Sequence, residues 1–394
     1  MVSIPESLPA ALGGRPLFPD GLKLARPAVA DIASVQDRVG AILADGTITN
    51  GPFVRELEDR AAAYLGVRHC VAVGSCTAGL MLVLRATDLT GDVLVPSFTF
   101  AATAHAVAWN GLRPVFVDIA PDTLTLSPEA VRRSIHIRTS AILATHLFGT
   151  PCDVDVLEEI AAETGIRLFF DAAHAFGSRH GDRMMGGFGD AEVFSLSPTK
   201  VLIAGEGGLI ATNDDLLAER CRIGRDYGNP GDYDCRFVGL NARMSEFHAA
   251  VALASFEDLE ERLDERVRLA DTYRDSLADV PGISFPSVPE GDRSTFKDLT
   301  LLVEQEAFGL DADGLGRALA AEGIETKRYY APPVHTMQAY RAVAPAGLSL
   351  PVTDRVAARA LTLPLWTGMG PERLALVAEA IRRVHTAYGS PGDR

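Results

Sequence analysis

Cations are scarce in this 394-residue chain: 37 Lys and Arg stand against 52 Asp and Glu, a formal net charge of −15. Such an acidic excess argues against nucleic acid or an anionic membrane surface as a partner, since both repel it. An anionic small molecule stays compatible only where cations are gathered locally in a site. Cysteine is also sparse. The five, Cys70, Cys76, Cys152, Cys221 and Cys235, are odd in number, form no C-x-x-C and lack ligand-like spacing. That pattern argues against a disulfide framework and against a metal site such as zinc, and it fits a reducing cytoplasm. The N-terminal MVSIPESLPAALGG has no basic region followed by an apolar stretch, so no signal peptide is expected. No apolar run is long enough to span a bilayer.

The residues that are present describe a large, well-packed protein. Hydrophobic residues make up 47% of the chain, enough for a sizeable core, and the length suggests two or three domains. Residues 1–30 are rich in Pro and Gly without helical or strand period and read as an irregular N-terminal arm. Helical patterns follow at Ala30–Ala44 and Phe53–Leu65. From His69 onward short apolar runs (HCVAVGS, DVLVPS, RPVFVDI, SAILATHLF, IRLFFDAA) alternate with helical stretches, and AEVFSLS and GLIATND add two more strands. Apolar strands separated by amphipathic helices imply a mostly parallel sheet covered on both faces, with ligands at the carboxyl ends of the strands. A large domain is expected over residues 31–255. A long helix from Ser245 to about Val280 then leads into a small α+β domain within 256–394, holding DLTLLVE, the helix DADGLGRALAAEG, the segment ETKRYYAPPVH and a final helix PERLALVAEAIRRVHTAYG.

Three constellations carry chemistry. In FFDAAHAFGS, Asp171 ends an apolar strand with His174 three residues on. A buried carboxylate needs a cationic or protonated partner, although a strand-end Asp capping a turn is the plainer reading of this segment alone. In DAEVFSLSPTKVLIAGEGG, Lys200 sits in a Pro- and Gly-punctuated loop between apolar strands. Most lysines in loops are merely solvated. This one is flanked by segments expected to be buried, and a desolvated lysine has a lowered pKa and attacks carbonyls. Ser195 and Ser197 are candidate phosphate donors, or local backbone partners, and Gly205, Gly207 and Gly208 allow close approach of a ligand. In VGSCTAGL a strand turns into a helix whose first amides form an anion site, a weak signal by itself. Together they describe a phosphate at Cys76-Thr77, a Schiff base at Lys200 and a carboxylate for a protonated pyridine nitrogen. Those are the demands of pyridoxal 5'-phosphate (PLP, with its amine form PMP). Lys200 follows Asp171 by 29 residues, which fits neighbouring strand ends.

The segments TITNGPFVRELE, VGSCTAGL, VPSFTFAATAHAVAWNG, PVFVDI, HLFGTPCDVD, FFDAAHAFGS, EVFSLSPTK, GEGGLIATND and GLNARMSEFHAA together resemble the DegT/DnrJ/EryC1/StrS sugar aminotransferases. The resemblance runs from about residue 15 to residue 255 and continues more loosely through ETKRYYAPPVH. It implies the aspartate-aminotransferase fold, PLP fold type I, with a seven-stranded sheet. It implies that Lys200 is the Schiff-base lysine and proton carrier and that Asp171 pairs with the pyridine nitrogen. His174 falls near the ring hydroxyl, where many relatives carry Gln, and Phe100 on the aromatic that stacks on the ring. Cys76, Thr77 and Ser195 fall on phosphate contacts, Cys76 acting through its backbone. Asn241 falls on a residue supplied from the neighbouring subunit, which implies a homodimer with shared active sites.

Other residues are read as structure: His105 and His146 packed or hydrogen-bonded, Met184, Met185 and Phe188 as loop packing, Trp109 as core. Lys327 and Arg328 are candidates for offsetting the nucleotide's diphosphate charge, with a strand-edge cation an equal alternative, and Tyr330 and His335 are candidates for the sugar site. The expected reaction moves an amino group from L-glutamate to dTDP-4-keto-6-deoxyglucose, giving dTDP-4-amino-4,6-dideoxyglucose. The rivals are a C3 aminotransferase of the same family, a PLP-dependent sugar dehydratase, whose relatives carry His in place of the lysine, and a non-catalytic regulator. The Ala- and Arg-rich composition suggests a GC-rich bacterium and an antibiotic-sugar or surface-glycan pathway.

Overall fold

A computed structural model describes residues 8–28, 31–345 and 347–389. The first seven residues of the arm, and Ala30 at the expected start of the first helix, lie outside the described residues. Two helices precede the sheet: α1 (Ile32–Asp45), N-capped by Asp31 through Ser34 N–H, and α2 (Pro52–Leu65), with Pro at its first position. The central sheet then follows as β1 (His69–Val73), α3 (Cys76–Ala86), β2 (Asp92–Pro96), α4 (Ala101–Trp109), β3 (Arg113–Val117), α5 (Pro128–Ser134), β4 (Thr139–Thr145), α6 (Val154–Thr164) and β5 (Arg167–Asp171). A two-residue ribbon, β6 (Arg179–His180) and β7 (Arg183–Met184), leads to β8 (Ala191–Ser195) and β9 (Gly208–Thr212). All seven strands read from the sequence join one sheet, ordered β1-β9-β8-β5-β4-β2-β3. Only β9 runs against its neighbours, antiparallel to both β1 and β8. Their almost wholly buried residues match strands covered on both faces.

Because β5 and β8 are parallel and adjacent, their carboxyl ends bring Asp171 and Ser195 to one edge, and the β8–β9 loop carries Lys200 above them. Gly208 permits the start of α3 to press on β9. A Cβ there would lie 2.7 Å from the Cys76 amide nitrogen, so any larger residue would push the helix start off the sheet.

After β9 come α7 (Asp215–Gly224), α8 (Glu246–Phe256) and α9 (Leu259–Leu277). The single long helix expected from Ser245 to about Val280 is thus two. Its apolar first part packs within the core, whereas the second part is charged and amphipathic. The change from a helix buried nearly all round to one buried on a single face falls at Glu257-Asp258. Beyond it, β10 (Ile283–Ser284), β11 (Leu299–Val303) and β12 (Ala360–Leu363) form an antiparallel three-stranded sheet. It is accompanied by α10 (Gln305–Phe308), α11 (Ala312–Ala321), α12 (Pro351–Arg359) and α13 (Pro371–Tyr388). The arm docks here: Leu22 bridges Ile324, and the buried Glu322 carboxylate accepts the N–H groups of Ala10 and Leu17 at 2.7 and 3.0 Å. Trp109, expected in the core, is instead 75% exposed at the end of α4. No helix among the described residues is long and apolar enough to cross a membrane.

The Glu246 carboxylate, in the first turn of α8, accepts the N–H groups of Gly51, Phe53 and Val54 at 2.8, 2.8 and 2.9 Å. It thereby caps α2, whose Gly51 has no side chain to do so. Replacing it with Gln would turn an amide donor toward some of those N–H groups and leave buried donors unpaired. Glu246→Gln is expected to lower stability by about 2–3 kcal/mol in urea unfolding. A midpoint equal to that of the unaltered chain would show that the cap carries no stability.

Candidate active site

The carboxyl ends of β1, β2, β4, β5 and β8 converge on a cavity of about 310 Å³, lined on another side by Lys297 and Asp298, which precede β11. Cys76, Thr77, Phe100, Asp171, His174, Ser195, Lys200 and Tyr330, singled out in the sequence, all line it, as do Ser197 and Gly207. Ser75 caps α3 by accepting Ala78 N–H at 3.1 Å. The amides of the first turn of a helix have no intrahelical acceptor, so this turn presents donors to the cavity. Ser195, at the end of β8, is buried with its hydroxyl held near Ser197 N–H at 3.4 Å.

Asp171 is buried and accepts only neutral donors, the Thr103 hydroxyl at 2.7 Å and the Ala173 amide at 3.1 Å. Burial pushes its pKa up, although those two bonds, Lys200 and His146 oppose the shift. A cation placed against it would relieve that cost. Lys200 is pushed down to about 8, first by burial and then by the nearby Lys297 ammonium, against the attraction of Asp298, Cys76 and Asp171. Its amine is therefore partly neutral near physiological pH. The chain holds four lysines, Lys23, Lys200, Lys297 and Lys327, and two of them share this cavity.

His174 accepts Phe148 N–H at its Nδ1, 3.1 Å away. That bond leaves the ring proton on Nε2, and burial together with Lys200 and Lys297 holds the ring neutral, its pKa well below the ordinary histidine value. The Phe148 ring lies parallel between His174 and Tyr330, at 6.4 and 6.1 Å between centroids. Phe148 adopts φ 57°, a left-handed conformation uncommon for a non-glycine residue, and it follows β4 in the HLFG segment.

Other candidates do not reach the cavity. His335 is tied to Ser97, Nδ1 to Oγ at 2.7 Å, with Nε2 3.4 Å from Asp354. Lys327 is exposed and pairs through its backbone with Thr362. Arg328 spends its guanidinium on Asp313 and on the carbonyls of Ala357, Ala358 and Ala360. The Arg328 guanidinium is thus paired within the small domain, and neither cation lines the cavity of its own chain. Asn241 is exposed and lies outside its own chain's cavity. His146 accepts Cys152 N–H at 3.0 Å and sits 3.2 Å from Glu192, and His105 meets the Tyr340 hydroxyl at 2.5 Å; both are structural in this chain. Met185 and Phe188 are buried packing residues. The sequence reading missed Lys297, Asp298 and Tyr329, which line the cavity from the β11 side. The signal available was a charged pair abutting an apolar strand in FKDLTLLV.

Pyridoxal phosphate fits these groups: amides and hydroxyls for a phosphate, a depressed lysine, and a buried carboxylate lacking a cationic hydrogen-bond partner. Fold and site together define a PLP-dependent enzyme of fold type I. Residues 30–382 match the DegT/DnrJ/EryC1/StrS aminotransferase family, and the chain belongs to it as a PLP-dependent sugar aminotransferase. Among solved structures it is 40% identical to DesI, analysed in the presence of its TDP-sugar product, with a TM-score of 0.91 over 97% of both chains. It is 35% identical to a UDP-N-acetyl-3-dehydro-alpha-D-glucosamine 3-aminotransferase from Acidithiobacillus ferrooxidans, covering 88% of this chain and 92% of that protein. It is 29% identical to a dTDP-4-amino-4,6-dideoxy-D-glucose transaminase from Escherichia coli, covering 91% and 98%.

Proposed function

We propose that this chain transfers an amino group from L-glutamate to dTDP-4-keto-6-deoxyglucose, yielding dTDP-4-amino-4,6-dideoxyglucose. The observation that carries the reading is the convergence of Lys200, Asp171, Ser195 and the start of α3 on one cavity. The likeness to a protein whose structure was analysed in the presence of its TDP-sugar product supports the nucleotide.

In this reading Cys76, Thr77 and Ser195 hold the phosphate, Asp171 the ring nitrogen, Phe100 the ring face and His174, through Nε2–H, the ring hydroxyl. Bound there, the cofactor supplies an electron sink for the carbon that carries the nitrogen. Asp171, by its negative charge, keeps the ring nitrogen protonated. Lys200 holds the cofactor between turnovers. Its Nζ would hold and move the proton at the donor's α-carbon and, in the second half of the reaction, at the sugar carbon being aminated. The partial neutrality of this amine suits it to both steps. Tyr330, buried at the cavity wall, keeps water from that side.

Asn241 lies exposed outside its own chain's cavity, so in this reading it serves the phosphate of a second copy and the working unit is a homodimer. Trp109 and Val238, each 75% exposed, line one surface depression with Leu240 beside Asn241, an apolar face for a second copy to cover. Asn241→Ala is expected to weaken cofactor retention about tenfold, the value of one charge-assisted hydrogen bond. Dialysis followed by cofactor absorbance reads this, and a catalytically competent monomer in sedimentation would refute the shared site.

The direct test is the absorbance of cofactor-loaded protein, first with glutamate and then with dTDP-4-keto-6-deoxyglucose. A band that falls with glutamate and returns with the sugar supports the proposal. Bleaching without return rejects this sugar. One observation favours a second reading, C3 amination: the 35% identical relative is a 3-aminotransferase. The carbon bearing nitrogen in the isolated product, read by NMR, separates the two.

A further inference from the structure

Lys297 and Asp298 form a buried ion pair at the start of β11, Nζ to Oδ1 at 2.7 Å, with side chains 6% and 5% exposed. Both line the cavity. The pair is held in place by construction. Arg266, itself buried, donates to the carbonyls of Thr295, Phe296 and Lys297 at 3.2, 2.5 and 2.8 Å. Lys297 N–H donates to Phe148 O at 2.9 Å, and the Thr295 hydroxyl to His174 O at 2.6 Å. Phe296 is forced to φ 44°, a conformation that non-glycine residues adopt only when their surroundings impose it.

A pair built only for stability would have its atoms satisfied, since buried polar atoms nearly always find partners. Here Asp298 Oδ2 has no hydrogen-bond partner among the described residues. The ammonium spends one of its three donors on Oδ1. Beside the reacting centre, the pair therefore holds one unpaired carboxylate oxygen, shielded from solvent and within reach of a ligand only when the side chain turns toward the cavity, and the remaining donors of one cation.

We propose that this pair lets one cavity accept two chemically opposite reactants in turn. Lys297 takes a carboxylate of the amino donor, and Asp298 takes a hydroxyl of the sugar adjacent to the carbon being aminated. The inference rests on the functional reading above, in which a dicarboxylate and a neutral hexose occupy the same place. With neither bound, the two charges offset each other and the site avoids a lone buried ion. With the dicarboxylate bound, the free donors of Lys297 satisfy it while Asp298 stays on the ammonium. With the hexose bound, the free oxygen of Asp298 is satisfied instead. Either charge alone would serve one reactant and disfavour the other.

The test is calorimetric binding of two unreactive ligands to cofactor-loaded, full-length protein: glutarate, which lacks the amine, and dTDP-glucose, which lacks the ketone. Lys297→Met should weaken glutarate at least about tenfold and leave dTDP-glucose within about threefold, and Lys297→Arg should restore glutarate. Asp298→Asn turns its amide oxygen to Lys297 and puts a donor where the free acceptor stood. It should weaken dTDP-glucose about tenfold and leave glutarate equal or tighter. Equal weakening of both ligands in each variant would mean a merely structural pair and overturns the proposal, as does no change in either. Should the unaltered protein bind glutarate but no dTDP-glucose, the nucleotide-sugar reading itself fails, and sugar recognition by Asp298 falls with it.

Discussion

Lys200→Ala should lower turnover by about 10⁴-fold or more, because one side chain both anchors the cofactor and moves the proton. No neighbouring amine can substitute: Lys297 is committed to Asp298, and Lys23 and Lys327 are exposed outside the cavity. The fold should be untouched. The contact of Lys200 with its own loop is made by its backbone N–H to Ser197 O at 3.0 Å, and removing a desolvated amine relieves burial cost. Multiple-turnover assays and thermal unfolding of the same preparation measure both statements. A small exogenous amine such as ethylamine should restore part of the rate. Full turnover without it would end the mechanism.

Asp171→Asn separates charge from shape and should reduce turnover by about 10²–10³-fold while most cofactor stays bound. The Asn oxygen keeps one of the bonds from Thr103 and Ala173, but the ring nitrogen loses the charge that holds its proton. Unchanged rates would show that Asp171 is not that nitrogen's partner. The cofactor-free protein should respond in the opposite direction. Burial holds this carboxyl above the ordinary aspartate value, so the apo chain is stabilised by the neutral acid at low pH and loses that contribution as pH rises through the raised pKa. At neutral pH the Asn variant of the apo chain should therefore melt higher than the unaltered chain. At acidic pH the difference should vanish. Identical melting at both pH values would show that no desolvation cost resides at Asp171.

The sheet and its strand ends were legible because buried strands write their burial directly into apolar runs. Asp171, Ser195 and Lys200 were legible because each interrupts or ends such a run where a parallel sheet opens. Other features left no local mark. The break at Glu257-Asp258 carries no Gly or Pro, and the charged sequence runs on past it with the buried spacing still in phase. Trp109 has the composition of a core residue and sits on the surface, a placement that a single chain's periodicity cannot encode. Lys297 and Asp298 read as ordinary polar residues before a strand; their burial depends on Arg266 and Phe148, which lie 31 and 149 residues away in sequence. Arg328 looked available for a ligand because the carbonyls that consume it come from the end of α12.

The scarcity of lysine gives the chain a built-in reporter for peptide mapping. A lysine-specific protease cuts it after Lys23, Lys200, Lys297 and Lys327. Borohydride treatment of the loaded enzyme would make the linkage at Lys200 permanent and remove that cut, so residues 24–297 would be recovered as one fragment in place of two. Mass spectrometry of the digest would then give the fraction of chains that carry cofactor, in a mixture and without substrate.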